Sequence, residues 1–320
     1  MTRLATAASF TVLAIALFAR AAYAGPPVTV YGGIEIGNTN SNRVDAGVSA
    51  KFLHKLNTSV SLARAHVEFP DETTNSTLAV AKASYDLGAF NVGVGFRHGD
   101  IENVSTNRGW FVSAGYVHEE LRFGAEVEQR DTTLEPAAFT EDLGGTLGTV
   151  SGVSHCGVDG RGYLGRVDWD RPTWSAYVSW RVFDYDDYDC ALDITSTVPP
   201  PANGNGPPPH AHGRGLVHRL AAASVDSVIG AASRLVPRET ALLDSSASLG
   251  FTTPVVGEWI GGVELYRDVE KIDGSQTLTG LVFAGRRLSD TWSVEFSLGY
   301  SEADSIEDTA FAGVRVTAAL

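Results

Sequence analysis

The sequence predicts an all-β chain: a transmembrane, antiparallel, up-and-down β-barrel of about fourteen strands, with a helix in one long external loop. Three observations carry that reading. A ten-residue unit with period-2 alternation of apolar and polar residues recurs along nearly the whole chain, and this is how a barrel wall reads when one face meets lipid and the other water. The connections alternate between brief turns and longer polar stretches. Mean hydropathy over the 320 residues is −0.02, too low for a bundle of membrane helices, each of which needs roughly 20 consecutive apolar residues.

The hairpin Arg108–Arg130, RGWFVSAGYVHEELRFGAEVEQR, shows the unit most plainly. Leu121, Phe123, Ala125 and Val127 alternate with Arg122, Gly124, Glu126 and Glu128, giving one apolar and one charged face. Ahead of it the same pattern marks strands over Val28–Ile36, Val44–Leu53, a third ending near Phe69, Ser76–Asp86 and one starting at Phe90. After it come Arg161–Trp169, Thr173–Asp184, Ala241–Phe251, Glu258–Val269, Thr277–Arg287, Thr291–Ser301 and Thr309–Leu320. Thr132–Gly160 lacks this period and Tyr185–Glu239 is the largest insertion; both read as external loops.

The N-terminus reads as a secretory leader over residues 1–24. Arg3 supplies the positive start, Leu4–Ala19 the apolar run, and Ala22-Tyr23-Ala24 a cleavage site before Gly25. The mature barrel would then be residues 25–320. Removing Arg3 and Arg20 takes the formal charge from −14 to −16 (two positive charges lost). An acidic chain without a basic patch is a poor partner for nucleic acid. The connections after strands two, four, six, eight, ten and twelve are all brief, while the two longest follow strands seven and nine. Bacterial barrels keep short turns in the periplasm and long loops outside, so both termini are expected in the periplasm. Trp169, Trp174, Trp259 and Trp292 sit beside the short turns and Trp110 at the opposite rim, where amphipathic rings meet headgroups.

The charged phase supplies the candidate pore-lining residues: Lys51, Arg64, Glu68, Lys82, Arg97, Arg122, Glu126, Glu128, Arg130, Arg166, Asp168, Arg181, Glu264, Asp268, Arg286, Glu295 and Arg315, with Glu35, Asp45 and Asp86 in the same phase. Both signs are equally represented, so strong ion selectivity does not follow from this pattern alone.

In architecture the chain resembles the Gram-negative outer-membrane β-barrel proteins, and in size the monomeric fourteen-stranded porins. The resemblance rests on leader, dyad strands, loop alternation and terminal strand over Gly25–Leu320, without a family-specific motif. It implies outer-membrane lipids, lipopolysaccharide and the barrel assembly machinery as partners, small solutes as cargo, and a monomer in preference to a trimer. Such barrels usually end on an aromatic residue that the assembly machinery reads, whereas AFAGVRVTAAL ends in Leu320 with Val314, Val316 and Ala318 in phase.

Further features compete for a role. Cys156 and Cys190 are the only cysteines; after export through an oxidising compartment, a disulfide between the loops flanking strands eight and nine is expected. Asp184–Asp193 holds five aspartates, read as a solvated loop ahead of a calcium site. His210, His212 and His218 follow the Pro/Gly-rich Pro199–Gly215 and lack the spacing of a metal set, so no metal and no cofactor are expected. Leu216–Leu235 carries an apolar stripe at helical spacing and ends before Pro237, a helix that caps the barrel mouth or lies across the loop surface. His66 and His98 have no G-x-S-x-G or comparable nucleophile beside them, so an enzyme is not expected. The expected function is passive diffusion of small hydrophilic solutes or ions. The alternatives are a closed barrel with a structural or adhesive role through its loops and, behind that, an outer-membrane hydrolase.

Overall fold

A computed structural model describes residues 27–38, 41–52, 54–68, 73–142, 149–186, 189–196, 242–271, 274–304 and 306–320. The leader and the 216–235 helix expected from sequence lie outside the described residues. Fifteen strands form one antiparallel sheet: β1 (Val28–Gly37), β2 (Asn42–Phe52), β3 (Leu56–Glu68), β4 (Thr73–Asp86), β5 (Phe90–Ile101), β6 (Ser105–His118), β7 (Leu121–Asp142), β8 (Thr149–Arg171), β9 (Trp174–Tyr185), β10 (Asp189–Ser196), β11 (Leu243–Pro254), β12 (Trp259–Glu270), β13 (Gln276–Arg287), β14 (Trp292–Ala303) and β15 (Ile306–Ala319). Consecutive strands pair along the sheet, β9 pairs β11, and β1 pairs β15. Leaving out β10, the remaining fourteen strands form a closed ring without a free edge, the condition a sheet must meet to cross a bilayer.

β10 belongs to a projection rather than to the ring. β6 pairs β7 only as far as Leu134, yet β7 continues to Asp142 against Thr149 of β8. The outer part of β8 takes β10 as its second neighbour, from Asp189 opposite Gly157 to Ser196 opposite Val150. Eight residues of β10 rise roughly 25 Å above the ring at about 3.3 Å per residue. The loops expected at Thr132–Gly160 and Tyr185–Glu239 are therefore strand for part of their length. The reason is physical: above the membrane both faces of a ladder meet water, so backbone pairing persists while the apolar alternation is lost in the outer part of β7 and shrinks in β10 to Cys190, Leu192 and Ile194.

The brief connections are tight turns with residues in the left-handed region. His54, Glu119 and Gly257 have φ of 60°, 52° and 60°, and Gly88 has 86°. A positive φ disfavours side chains with a Cβ, and Gly88 and Gly257 meet that demand without strain.

The outward face of the ring is apolar in register. Val94, Val112, Val127, Tyr163 and Val182 form one row across β5–β9, all exposed. Near the short turns the row Phe90–Tyr116–Phe123 brings rings together, with centroids 4.7 Å apart for Phe90–Tyr116 and 6.5 Å for Tyr116–Phe123. Trp169 and Trp174 touch edge-on at 5.2 Å and Phe251 stacks beyond at 6.0 Å. Exposed apolar side chains arranged as a continuous belt with an aromatic rim are a lipid-facing surface.

Candidate functional site

The opposite register phase faces the lumen, and on β5–β9 it builds a dense charged wall. Arg97 of β5 lies one strand from Phe111 of β6 and two from Glu126 and Glu128 of β7. Its guanidinium donates to Glu126 at 2.6 Å and to Glu128 at 2.5 Å. Arg130 donates through Nε to the other oxygen of Glu128 at 3.1 Å and lies 3.0 Å from it through Nη2. Arg181 of β9 approaches Glu126 at 3.4 Å. Residues two apart on one strand share a face, so Glu126, Glu128 and Arg130 stand in one column. The centre of the network is buried: Arg130 is 1% exposed and Glu128 2%. Charges this buried hold only when paired, because the desolvation cost is of the order of the attraction itself.

Aromatic rings form the second layer of that wall. The Arg97 guanidinium sits 4.1 Å from the Phe111 ring centre, Arg130 4.5 Å from Phe183, and Arg166 4.3 Å from Tyr177. Each ring lies across a glycine directly opposite it: Phe111 on Gly95, Phe183 on Gly162 and Tyr177 on Gly250. A Cβ on any of these glycines would fall within the ring. The missing side chain lets the ring lie against the wall rather than project into the lumen, and the flat ring then carries the guanidinium.

The other side of the lumen, β12–β15 with β1 and β2, is more open. A cavity of about 350 Å³ is bordered there by Glu35, Arg43, Asp45, Glu264, Tyr266, Asp268, Glu295 and Arg315, with Phe283 and Phe311 in its wall. Phe283 and Phe311 repeat the ring-on-glycine arrangement over Gly262 and Gly299. Ion pairs are looser here, 3.9 Å for Arg43–Glu35 and 3.5 Å for Arg315–Asp45. Ser246 donates to Asp268 at 2.6 Å, and Tyr266 donates its hydroxyl to Glu264.

Of the candidates read from the sequence, Arg97, Glu126, Glu128, Arg130 and Arg181 come together on the first wall, and Glu264, Asp268, Glu295 and Arg315 on the second. Lys51, Lys82, Arg122, Arg166 and Asp168 hold inward positions elsewhere. Lys51 bonds Asp86 at 3.2 Å, Lys82 lies 5.9 Å from the Phe111 ring, and Arg166 grips Asp168 at 2.6 Å.

Two assignments are corrected. Arg64 faces outward, opposite Val44 and Thr77, in the same phase as the exposed Val60 and Leu62. Arg286 also faces outward, opposite Trp259, with its guanidinium 5.9 Å from that ring and 3.6 Å from Glu258. In both strands the two phases each contain apolar residues. Ser59 and Ser61, or Thr277 and Thr279, mark the inward side, and the larger aliphatics take the lipid side. Glu68 falls in Arg64's strand phase, and its side chain lies outside the described ones.

Sequence reasoning missed Arg43 and the inward rings; the glycine opposite each ring is a signal only once the register is known. Inward side chains toward the long-loop end are closely packed, as at Ser76, Asn107, Thr132 and Ser301, while Lys51, Arg122 and Arg166 near the short turns are open to solvent.

Cys156 and Cys190 are direct register partners on β8 and β10, and among the described residues no cysteine is free. His66 and Asn75 share a hydrogen bond of 3.0 Å on the outer face. Among the described residues no group of three or more His, Cys, Asp or Glu is arranged to hold a metal ion.

No family model matches the chain, and no curated protein matches it in sequence. Solved structures do. The CymD monoaromatic hydrocarbon channel is 8% identical with a TM-score of 0.56, over 92% of this chain and 89% of that one. The KdgM porin is 9% identical with a TM-score of 0.42, over 91% and 99%. OpdK of Pseudomonas aeruginosa, solved with vanillate, is 8% identical with a TM-score of 0.39, over 92% and 98%. The likeness to the first of these is one of fold, the closed antiparallel ring described above.

Proposed function

We propose that the chain is an outer-membrane, porin-like channel through which small hydrophilic solutes or ions diffuse passively. The observation that carries this reading is the two-faced wall: an apolar, aromatic-rimmed exterior around an interior with charged side chains on both sides and a cavity of about 350 Å³. A barrel of this strand number has room for water between its walls, and an interior of fixed charges keeps that water in place. The named inward residues line the path. The chain acts without catalysis. The short turns lie in the periplasm with both termini, the projection of β7, β8 and β10 faces outward among lipopolysaccharide, and the assembly machinery reads β15. The protein works as a monomer.

Cys156 and Cys190 form a disulfide in this reading. Direct opposition in an antiparallel ladder puts two Cβ atoms about 4.5–5.5 Å apart, close to what a disulfide spans. Alkylation of the folded, exported protein followed by mass measurement is expected to find no reactive thiol before reduction, and labelling of both cysteines would remove the bridge.

Ion conductance of the refolded mature chain in a planar bilayer tests the channel. Discrete steps are expected. A second reading, a closed barrel acting through its surface loops, is favoured by the close packing of the inward side chains toward the long-loop end. A folded, heat-modifiable barrel that never conducts would establish that reading instead.

A further inference from the structure

The lumen charges balance along the sequence but not across the lumen. On the β5–β9 wall the three guanidinium groups of Arg97, Arg130 and Arg181 are each within 3.4 Å of Glu126 or Glu128, and all five side chains are largely buried. Their positive charge is met inside the wall by Glu126 and Glu128, over the Phe111 and Phe183 rings. On the opposite side the cavity is bordered by five carboxylates, Glu35, Asp45, Glu264, Asp268 and Glu295, against two guanidinium groups, Arg43 and Arg315. Among the described residues, that border has three more negative than positive groups (five less two).

We propose that the lumen prefers small cations over anions, with the carboxylates bordering the β12–β2 cavity as the determinants and Arg97 as a positioning residue that keeps Glu126 and Glu128 neutralised in the facing wall. The inference rests on the channel reading above and narrows its cargo. A cavity whose wall carries an excess of one sign of charge in low-dielectric surroundings raises the local concentration of counter-ions. Rings of carboxylates act this way in cation pores. The Phe283 and Phe311 rings in the same border are compatible with a cation sliding past, since a ring face attracts positive charge. Among the described residues Arg97 joins both glutamates, and its removal would take the wall from one net positive charge (three guanidinium groups less two carboxylates) to none, so that less positive potential faces the carboxylates across the lumen.

The test is the reversal potential of single channels in a planar bilayer under a potassium chloride gradient, using the refolded mature chain. A potassium-over-chloride permeability ratio of roughly threefold or more is expected, falling as salt rises and screening shortens. Glu35→Gln combined with Glu295→Gln should bring the ratio toward unity, and Arg97→Gln should raise it. The outward-facing Arg64→Gln should leave it unchanged. Each variant is first checked for the heat-modifiable migration of a folded barrel, and if Arg97→Gln does not fold, the carboxylate pair decides. Steps with no preference or a chloride preference, or a Glu35/Glu295 double variant as selective as the parent, would overturn the inference and leave the channel standing. Absence of steps would overturn the channel reading and the inference with it.

Discussion

The two walls of the lumen are made from the same residue types but are held differently. On β5–β9, Arg97, Glu126, Glu128, Arg130 and Arg181 close on one another over Phe111 and Phe183, at distances of 2.5–3.4 Å. On β12–β2, Arg43 and Arg315 meet Glu35 and Asp45 at 3.9 and 3.5 Å around an open cavity. The first wall is a structural unit whose charges need each other; the second presents its charges to whatever enters. The difference follows from column spacing. β7 places Glu126, Glu128 and Arg130 in one column within reach of β5 and β9, whereas the acids of β12 and β14 border the open cavity.

Breaking the first wall should have the largest effect. Glu128→Ala leaves Arg97 and Arg130 short of a buried partner, and loss of one member of such a network costs about 3–5 kcal/mol. Urea unfolding in detergent micelles, followed by tryptophan fluorescence, should show this as a clear fall in midpoint. A loss below about 1 kcal/mol, the range of an exposed pair, would mean that the network does not hold the wall.

The ring-on-glycine layer comes next. Gly95→Ala drives a methyl into the Phe111 ring, beside the Ala81 carbonyl, and such overpacking costs about 1–3 kcal/mol. Gly124→Ala is the contrast, since its Cβ would meet Arg166 Cβ at an ordinary 3.7 Å, and its midpoint should stay near the parent value. Equal effects at the two glycines would remove the argument that the rings depend on their opposing glycines.

A smaller and more local change is expected from Cys156→Ser. The ring closes without β10, so unfolding of the barrel should change little while limited proteolysis of the projection between β9 and β11 becomes faster. Unchanged proteolysis would show that pairing of β8 and β10 needs no covalent tie. The smallest effect belongs to Arg64→Leu. An outward-facing arginine close to the membrane edge costs between zero and about 1 kcal/mol relative to an apolar residue, so stability should rise slightly or stay level. A loss of stability would place Arg64 in a contact that its register does not give it.

Much of this was legible in the residues. Fourteen ring strands, most with boundaries within a few residues, followed from alternation alone, because lipid on one side and water on the other impose period 2 on every spanning segment. The ring residues Arg97, Glu126, Glu128, Arg130, Glu264 and Arg315 were placed inward for the same reason. The pattern failed where its cause was absent. β7 beyond Leu134 lies above the membrane, with water on both faces, and leaves no periodic trace, and in β10 only Cys190, Leu192 and Ile194 alternate with polar or small residues, a run too short to stand out. It also failed in β3 and β13, where small or aromatic residues line the lumen and both phases look apolar. Leu62 beside Ala63 and Ser61 was the available signal for Arg64, since size and polarity together point the leucine toward lipid.

The sequence by itself determined the barrel, its strand number and, outside β3 and β13, which face of each ring strand meets lipid, because each is a property of single strands meeting two solvents. Only the tertiary structure decided which charges neutralise one another, which rings lie on which glycines, and that the excess carboxylates border one cavity. Those depend on register between strands as distant in sequence as β1 and β15, and a period-2 pattern sets the face of a residue without setting its neighbour.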